Sequence, residues 1–424
     1  MTTPNLLQTT LAGAASSPPL SPLWTLDGLR AADPVLGLAL LLLVAVLIAE
    51  ALHRTWRLPR ACGHMLTGAI AGPVLLRLLD TAELDPWKPL IDLAIAALVF
   101  ELGSRIRPRW LVDNPWLALG CVLQAVLCGS AVAVVLMGFG APGLSAAVAG
   151  TVALATSPVI VLTVVHELRS RGQVTERLLM MTVINSVIAV LGLKVLRVLV
   201  ASDAETLGAE WLQAVSDALW VTSGSFLLGV VAGFALDRLS PLVRATPAMP
   251  VLQIALVIVA SMLATQWMLS PLLALLVAGM TARARMGHAL TVEPHLGSAG
   301  AALNVLLFIA IGLLLGVDGA LRLWPWALAI IAARLVATGL AVGALARVSG
   351  LGWRQATALS VALQPMSSLA VLLAADSFAW PVQWPGIDTN ALQALLLAIT
   401  LMQLSGPVWT QLALQRIARE VQPG

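Results

Sequence analysis

The sequence predicts an all-α, polytopic membrane protein of about 13 transmembrane helices. Three observations predict it. Of 424 residues, 59% are hydrophobic and 11% are charged, against about 45–50% and about 25% in soluble domains. Apolar runs of bilayer-spanning length recur from residue 35 onward. Basic residues crowd every second loop between those runs. A chain this apolar cannot cover itself with a polar skin, which excludes soluble enzymes, nucleic-acid binders and disordered proteins.

Residues 1–34 are rich in Ser, Thr and Pro and carry no positive charge before Arg30. They read as a disordered lead-in, because a secretory signal needs a basic start and a compact apolar run. The first run, 35–52, ends near Glu50 and is followed by Arg54, Arg57 and Arg60. The second, 62–79, carries Arg77 toward its outer end and precedes Asp80, Glu83 and Asp85. The third, 89–103, contains Asp92 and Glu101 and leads to Arg105, Arg107 and Arg109. Cys121 and Cys128 lie in the fourth, 115–137, and with Cys62 they read as small apolar packing residues. The fifth, 144–165, is interrupted at Thr156-Ser157-Pro158 and followed by Arg169, Arg171 and Arg177. The sixth, 177–200, holds Asn185-Ser186, with Lys194 and Arg197 near the outer end; Asp203, Glu205, Glu210 and Asp217 come next.

The seventh run, 218–236, precedes Arg238 and Arg244. The eighth and ninth, 250–268 and 271–285, are almost continuous and end at Arg283 and Arg285. The tenth covers 298–316, and the eleventh, 323–345, places Arg334 mid-run before Arg347 and Arg354. The twelfth, 355–375, is interrupted at Gln364-Pro365 and precedes Asp376 and Asp388. The thirteenth, 390–414, is followed by Arg416 and Arg419 and a short tail, 415–424. Seventeen of 24 basic residues thus fall on one side, which places the N-terminus outside and the C-terminus in the cytoplasm. The same asymmetry explains the net charge of +3 without nucleic acid.

A proline inside a helix removes a hydrogen bond and frees a carbonyl, so Pro158 and Pro365 mark breaks at membrane depth. One such proline is often only a kink. Two of them seven helices apart lie on oppositely oriented spans, the arithmetic of six helices, one linker and six more. Paired broken helices in corresponding positions point to a secondary transporter with its substrate at the midplane. Arg334 reinforces this, because a central charge costs at least about 2.5–3.5 kcal/mol and demands a function or a site to organise. Asn185 and Ser186 either bridge helices or line that site. Glu101, one turn from Arg105, reads as a solvated helix-end pair or as a step on a proton path.

Several stretches resemble the monovalent cation:proton antiporter superfamily. Leu58-Pro59-Arg60 followed by Gly63, Gly68, Gly72 and Pro73 is similar to its "LPxxxGxxxxGxxxGP" second helix, and Leu98 to Gly103 to its "LLFxxG" third helix. Ala155 to Arg169 resembles its crossing helix with the trailing "LxELR", over a similarity that runs from about 35 to 412. The resemblance implies an antiporter-like fold of inverted six-helix repeats, a core domain with two crossing broken helices moving against a dimerisation domain, and a homodimer in a bacterial inner membrane. It implies exchange of sodium or potassium for protons by alternating access, with no cofactor, no metal and no enzymatic activity. Where the family places Thr-Asp this chain has Thr156-Ser157, and where it places Asp-Asp or Asn-Asp it has Asn185-Ser186. Thr156, Ser157, Asn185, Ser186 and Gln364 offer neutral oxygens only, beside Arg334. Asp92 and Glu101 are then the nearest proton carriers by sequence. An anion or organic-acid carrier, or a transport-incompetent regulatory relative, are the alternatives on the same fold. The end at Gly424 carries the expectation that no cytoplasmic nucleotide-binding domain follows.

Overall fold

The structure is a computed structural model describing residues 34–72, 88–105, 114–201, 207–243, 248–286, 298–313, 320–367, 370 and 388–421. The expectations for residues 1–33, Arg77, Arg107, Arg109, Arg244, Ser368, Asp376 and the acidic residues at 80–85 and 203–205 lie outside these. So do the side chains of Lys194 and Arg197.

The described chain is helical almost throughout. The α-helices are α1 (Pro34–Trp56), α2 (Arg60–Ala71), α3 (Lys88–Arg105), α4 (Pro115–Gly138), α5 (Gly143–Val152), α6 (Pro158–Glu167) and α7 (Gln173–Ala201). They continue with α8 (Leu207–Val243), α9 (Met249–Gln266), α10 (Pro271–Met286), α11 (Ser298–Leu313), α12 (Trp324–Ala346), α13 (Trp353–Ala362) and α14 (Thr389–Leu412). Among the described residues, seven helices are long and apolar enough to cross a membrane unaided. The fifth predicted run is two helices, α5 and α6, as its proline suggests. The seventh is longer than its apolar run: α8 has 37 residues, since hydrogen bonding continues past the apolar stretch into polar flanks.

Helix starts follow local chemistry. Pro115, Pro158 and Pro271 occupy first-turn positions, where the missing N–H would have no partner anyway. Asp388 caps α14 by accepting from the Asn390 N–H at 2.9 Å.

Packing reveals the inverted repeat. Helix α2 crosses α11 where Gly68 and Gly312 face each other: a Cβ on Gly68 would lie 2.2 Å from the Ile309 oxygen, and one on Gly312 would lie 2.2 Å from the Met65 oxygen. Helix α3 crosses α10 in the same way through Gly103 and Gly279, where a Cβ on either would lie 2.1 Å from an opposing carbonyl oxygen, those of Leu276 and Phe100. Gly68 with Gly279, and Gly103 with Gly312, are each about 210 residues apart, so one crossing is the image of the other in the second repeat. Only glycine allows backbones this close. Gly279→Ala is therefore expected to cost about 1–3 kcal/mol, because its methyl group meets rigid backbone atoms of α3. Thermal unfolding of the purified variant in detergent measures this.

Among the described residues, two large apolar cores and two smaller clusters result. One large core gathers Val159, Ile160, Leu178 and Leu363 with residues of α3 and α10; the other gathers Ala153, Ala155 and Met366 with residues of α4, α12 and α14. Both helix breaks lie on the boundary between them.

Candidate functional site

At each break the chain is extended, and the two breaks pair. Thr156 and Met366 form an isolated antiparallel bridge. The Ser157 N–H donates to the Pro365 oxygen at 2.9 Å, and the Ser367 N–H to the Ala155 oxygen at 3.1 Å. Thr156 and Met366 are also about 210 residues apart, so this contact lies on the pseudo-twofold axis relating the repeats. The expected approach of the Pro158 and Pro365 breaks on antiparallel segments is what the structure contains. Helix α6 leaves the crossing from Ser157, whose hydroxyl accepts from the Ile160 N–H at 3.3 Å. Helix α13 arrives at it from the other side.

Thr156 is the hub. Its hydroxyl faces two carbonyl oxygens, those of Leu154 at 3.4 Å and Leu363 at 3.5 Å, and it can donate to one at a time. It accepts from Asn185 Nδ2 at 3.3 Å. Ser186 donates to the Thr156 oxygen at 2.9 Å or the Thr182 oxygen at 3.0 Å. Gln364 Nε2 donates to the Ser360 oxygen at 2.9 Å. Arg334, 1% exposed, reaches in from α12 and donates through Nη2 to the oxygens of Leu363 and Gln364, both at 3.4 Å. Those are end-of-helix carbonyls of α13, where about half a negative charge accumulates. The six residues singled out in the sequence are thereby brought into one hydrogen-bonded group, apart from Ser157, whose hydroxyl serves the helix cap.

Several buried polar atoms there have no partner: Asn185 Oδ1, Gln364 Oε1, Thr182 Oγ1, and on Arg334 both Nε and Nη1. Natural interiors leave few such atoms, and each calls for an explanation. The group thus offers unsatisfied acceptors and unsatisfied donors side by side, and none of its six residues is acidic.

The repeat also assigns Arg334 a counterpart that sequence reading missed. Gln124 in α4 stands about 210 residues before it and is buried, with Nε2 3.5 Å from Thr338 Oγ1. Cys128 and Thr338 are related by the same spacing, hydrogen-bond each other, and Cys128 lies within electrostatic reach of Arg334. The repeat is symmetric in backbone and asymmetric in charge. The repeat spacing was the signal that could have found Gln124.

Neither acidic residue proposed from the sequence bonds to the crossing group. Asp92 is exposed in the first half of α3. Glu101 is 1% exposed rather than solvated, because α6 brings His166 over it: Nε2 of His166 is 3.0 Å and Nη2 of Arg105 is 2.9 Å from its Oε1. His166 and Arg105 also touch each other.

The end bearing Arg169 and Arg354 is tied together by the chain's last described residues. The Glu420 carboxylate accepts from the N–H groups of Val174 and Thr175, at 2.8 and 2.9 Å, and so caps α7 from a distant part of the sequence. Arg354 holds the oxygens of Ile417 and Arg416 at 2.7 and 3.2 Å. Within the short tail read from the sequence, residues 416–420 form a strap across α7 and α13.

A protein-family model described as "Sodium/hydrogen exchanger, transmembrane" matches residues 39–415. Among solved structures, the sodium proton antiporter MjNhaP1 from Methanocaldococcus jannaschii at pH 8 is similar in fold, with a TM-score of 0.65 and 14% identity, over 91% of this chain and 98% of that one. An electron-microscopy structure of the same antiporter gives a TM-score of 0.71 at 13% identity, over 93% of this chain and all of the other. No curated protein sequence matches.

Proposed function

Because the chain belongs to the sodium/hydrogen exchanger transmembrane family, we propose that it is a secondary active transporter exchanging a monovalent cation, sodium or potassium, for protons by alternating access. The observation that carries this reading is the cluster of unpartnered oxygens beside the crossed breaks: Asn185 Oδ1, Gln364 Oε1 and Thr182 Oγ1. A cation stripped of water needs several oxygen ligands, and buried acceptors without donors are what a protein keeps for one. Ser186 and the Thr156 hydroxyl lie within the same hydrogen-bonded group and complete the lining.

The proton travels elsewhere, since no group at the crossing loses or gains one near neutral pH. Glu101 with His166 serves better than Asp92, being buried and joined to α6, the half-helix that starts at the crossing. The chain lies in a bacterial inner membrane with its arginine-rich loops in the cytoplasm. It works as a homodimer through the exposed apolar face of α1, which includes Leu43, Val46 and Leu47.

Proteoliposomes with an internal pH-sensitive dye test the exchange. Sodium or potassium is expected to drive proton movement that choline does not. A signal with small organic acids alone would identify the carrier alternative, and no flux with any ion would leave a non-transporting regulatory protein.

A further inference from the structure

We propose that the interface of α4 and α12, beside the crossing, binds a small monovalent anion, chloride or a one- or two-carbon carboxylate, on the guanidinium of Arg334. A guanidinium has five N–H groups and does not deprotonate in proteins. Nη2 spends its donors on the oxygens of Leu363 and Gln364, at a long 3.4 Å. Nε and Nη1 carry the other three, and neither has a partner although the side chain is 1% exposed. A buried, incompletely bonded charge is strongly disfavoured unless something of opposite sign meets it.

Among the described residues, the partners bonded to Arg334 are two carbonyl oxygens, which carry partial charge and no full negative charge. Glu101, the carboxylate buried in α3, is held by Arg105 and His166. The free amide oxygens of Gln124, Asn185 and Gln364 make no hydrogen bond to Arg334, since they too have no partner. Cys128, Thr338 and Gln124, all buried, surround the interface with a thiol, a hydroxyl and an amide. These are neutral groups whose hydrogens can turn toward a small anion. The anion's role rests on the exchange reading given above, although its binding does not. A negative charge on Arg334 replaces what carboxylates at positions 157 and 186 would have supplied, so that neutral oxygens can accept a cation close to a fixed positive charge.

Thermal unfolding of the purified full chain in detergent, with sodium and ionic strength held constant, measures the binding. Chloride, formate and acetate are compared with gluconate, a much larger anion. The midpoint is expected to rise by about 3 °C or more in chloride relative to gluconate, and to saturate as a single site does. The formate and acetate arms decide whether carboxylates share the site. Arg334→Gln is expected to abolish the difference and Cys128→Ser to retain it. Should Arg334→Gln not fold, Arg334→Lys is expected to reduce the shift at least twofold. Equal midpoints in all anions overturn the proposal, as does a chloride shift that survives in Arg334→Gln. A shift that appears only in Cys128→Ser overturns it as well, by identifying the Cys128 thiolate as the native counter-ion. Dye-monitored flux in chloride and in gluconate separates the two readings: binding without exchange sinks the transport function and leaves the anion site standing, whereas exchange indifferent to anions, with no shift, does the reverse.

Discussion

Arg334→Ala is expected to abolish cation-driven proton exchange, to below about a tenth of the parent, while the protein still folds. The magnitudes decide the second half. A guanidinium at the centre of a span costs at least about 2.5–3.5 kcal/mol, and alanine removes that cost. Against it stand two charge-assisted hydrogen bonds, worth about 1.5–3 kcal/mol each at good geometry and less at 3.4 Å. The cavity adds a further cost of order 2–3 kcal/mol, tempered by partial collapse. These offset one another only in part, so the variant is expected to be less stable by about 2–4 kcal/mol and still to fold. Function has no such offset. The Leu363 and Gln364 oxygens lose their donor, the end of α13 loses its compensating charge, and the geometry of the crossed breaks depends on both. Vesicle exchange measured beside size-exclusion profiles tests the two halves separately. Normal transport by the variant would remove Arg334, and with it the crossing, from the mechanism.

Ser186→Asp is expected to raise the apparent affinity for the driving cation tenfold or more and to make exchange steeply pH-dependent. The Ser186 hydroxyl now donates to the oxygens of Thr156 and Thr182, 2.9 and 3.0 Å away. A carboxylate at that place meets acceptors and brings no donor, so it must either hold a proton or share a cation with those carbonyls. Carboxylate and cation 4 Å apart attract by about 4 kcal/mol at an effective dielectric near 20. Desolvation takes back a large part, and about 1.4 kcal/mol of surplus already gives the tenfold change. Competition between proton and cation then runs through one residue. Stability should become cation-dependent too, rising by about 2.7 kcal/mol at a hundredfold excess over the dissociation constant. Unchanged flux and unchanged stability in sodium or potassium would place the cation elsewhere in the chain.

The membrane character, the all-helical fold and the position of both helix-interrupting prolines were legible in the sequence because each depends on local chemistry. Apolar length fixes what can be buried in lipid. Ser157-Pro158 carries the local chemistry of a helix start, a capping hydroxyl followed by a residue with no N–H to satisfy. The candidate site residues stood out for a different reason: polar groups at membrane depth are few.

What they bond was not legible. Pro407 lies inside α14, a helix that continues through it, whereas the chain is extended at Pro158 and Pro365. Proline alone does not choose between a kink and a break. The choice was made by the partner, because each extended segment satisfies its freed backbone groups on the other across a distance of about 210 residues. Glu101 shows the same limit. Its spacing to Arg105 gave a solvated helix-end pair, and the structure buries it because α6 carries His166 over it. The sequence determined by itself which segments enter the membrane and which residues are costly there, since transfer from water to lipid is a property of each segment. Only the tertiary structure decided which of those costs are met, that Asn185 and Gln364 keep free oxygens, and that Arg334 keeps free donors, because hydrogen bonds between distant segments exist only once the two repeats have crossed.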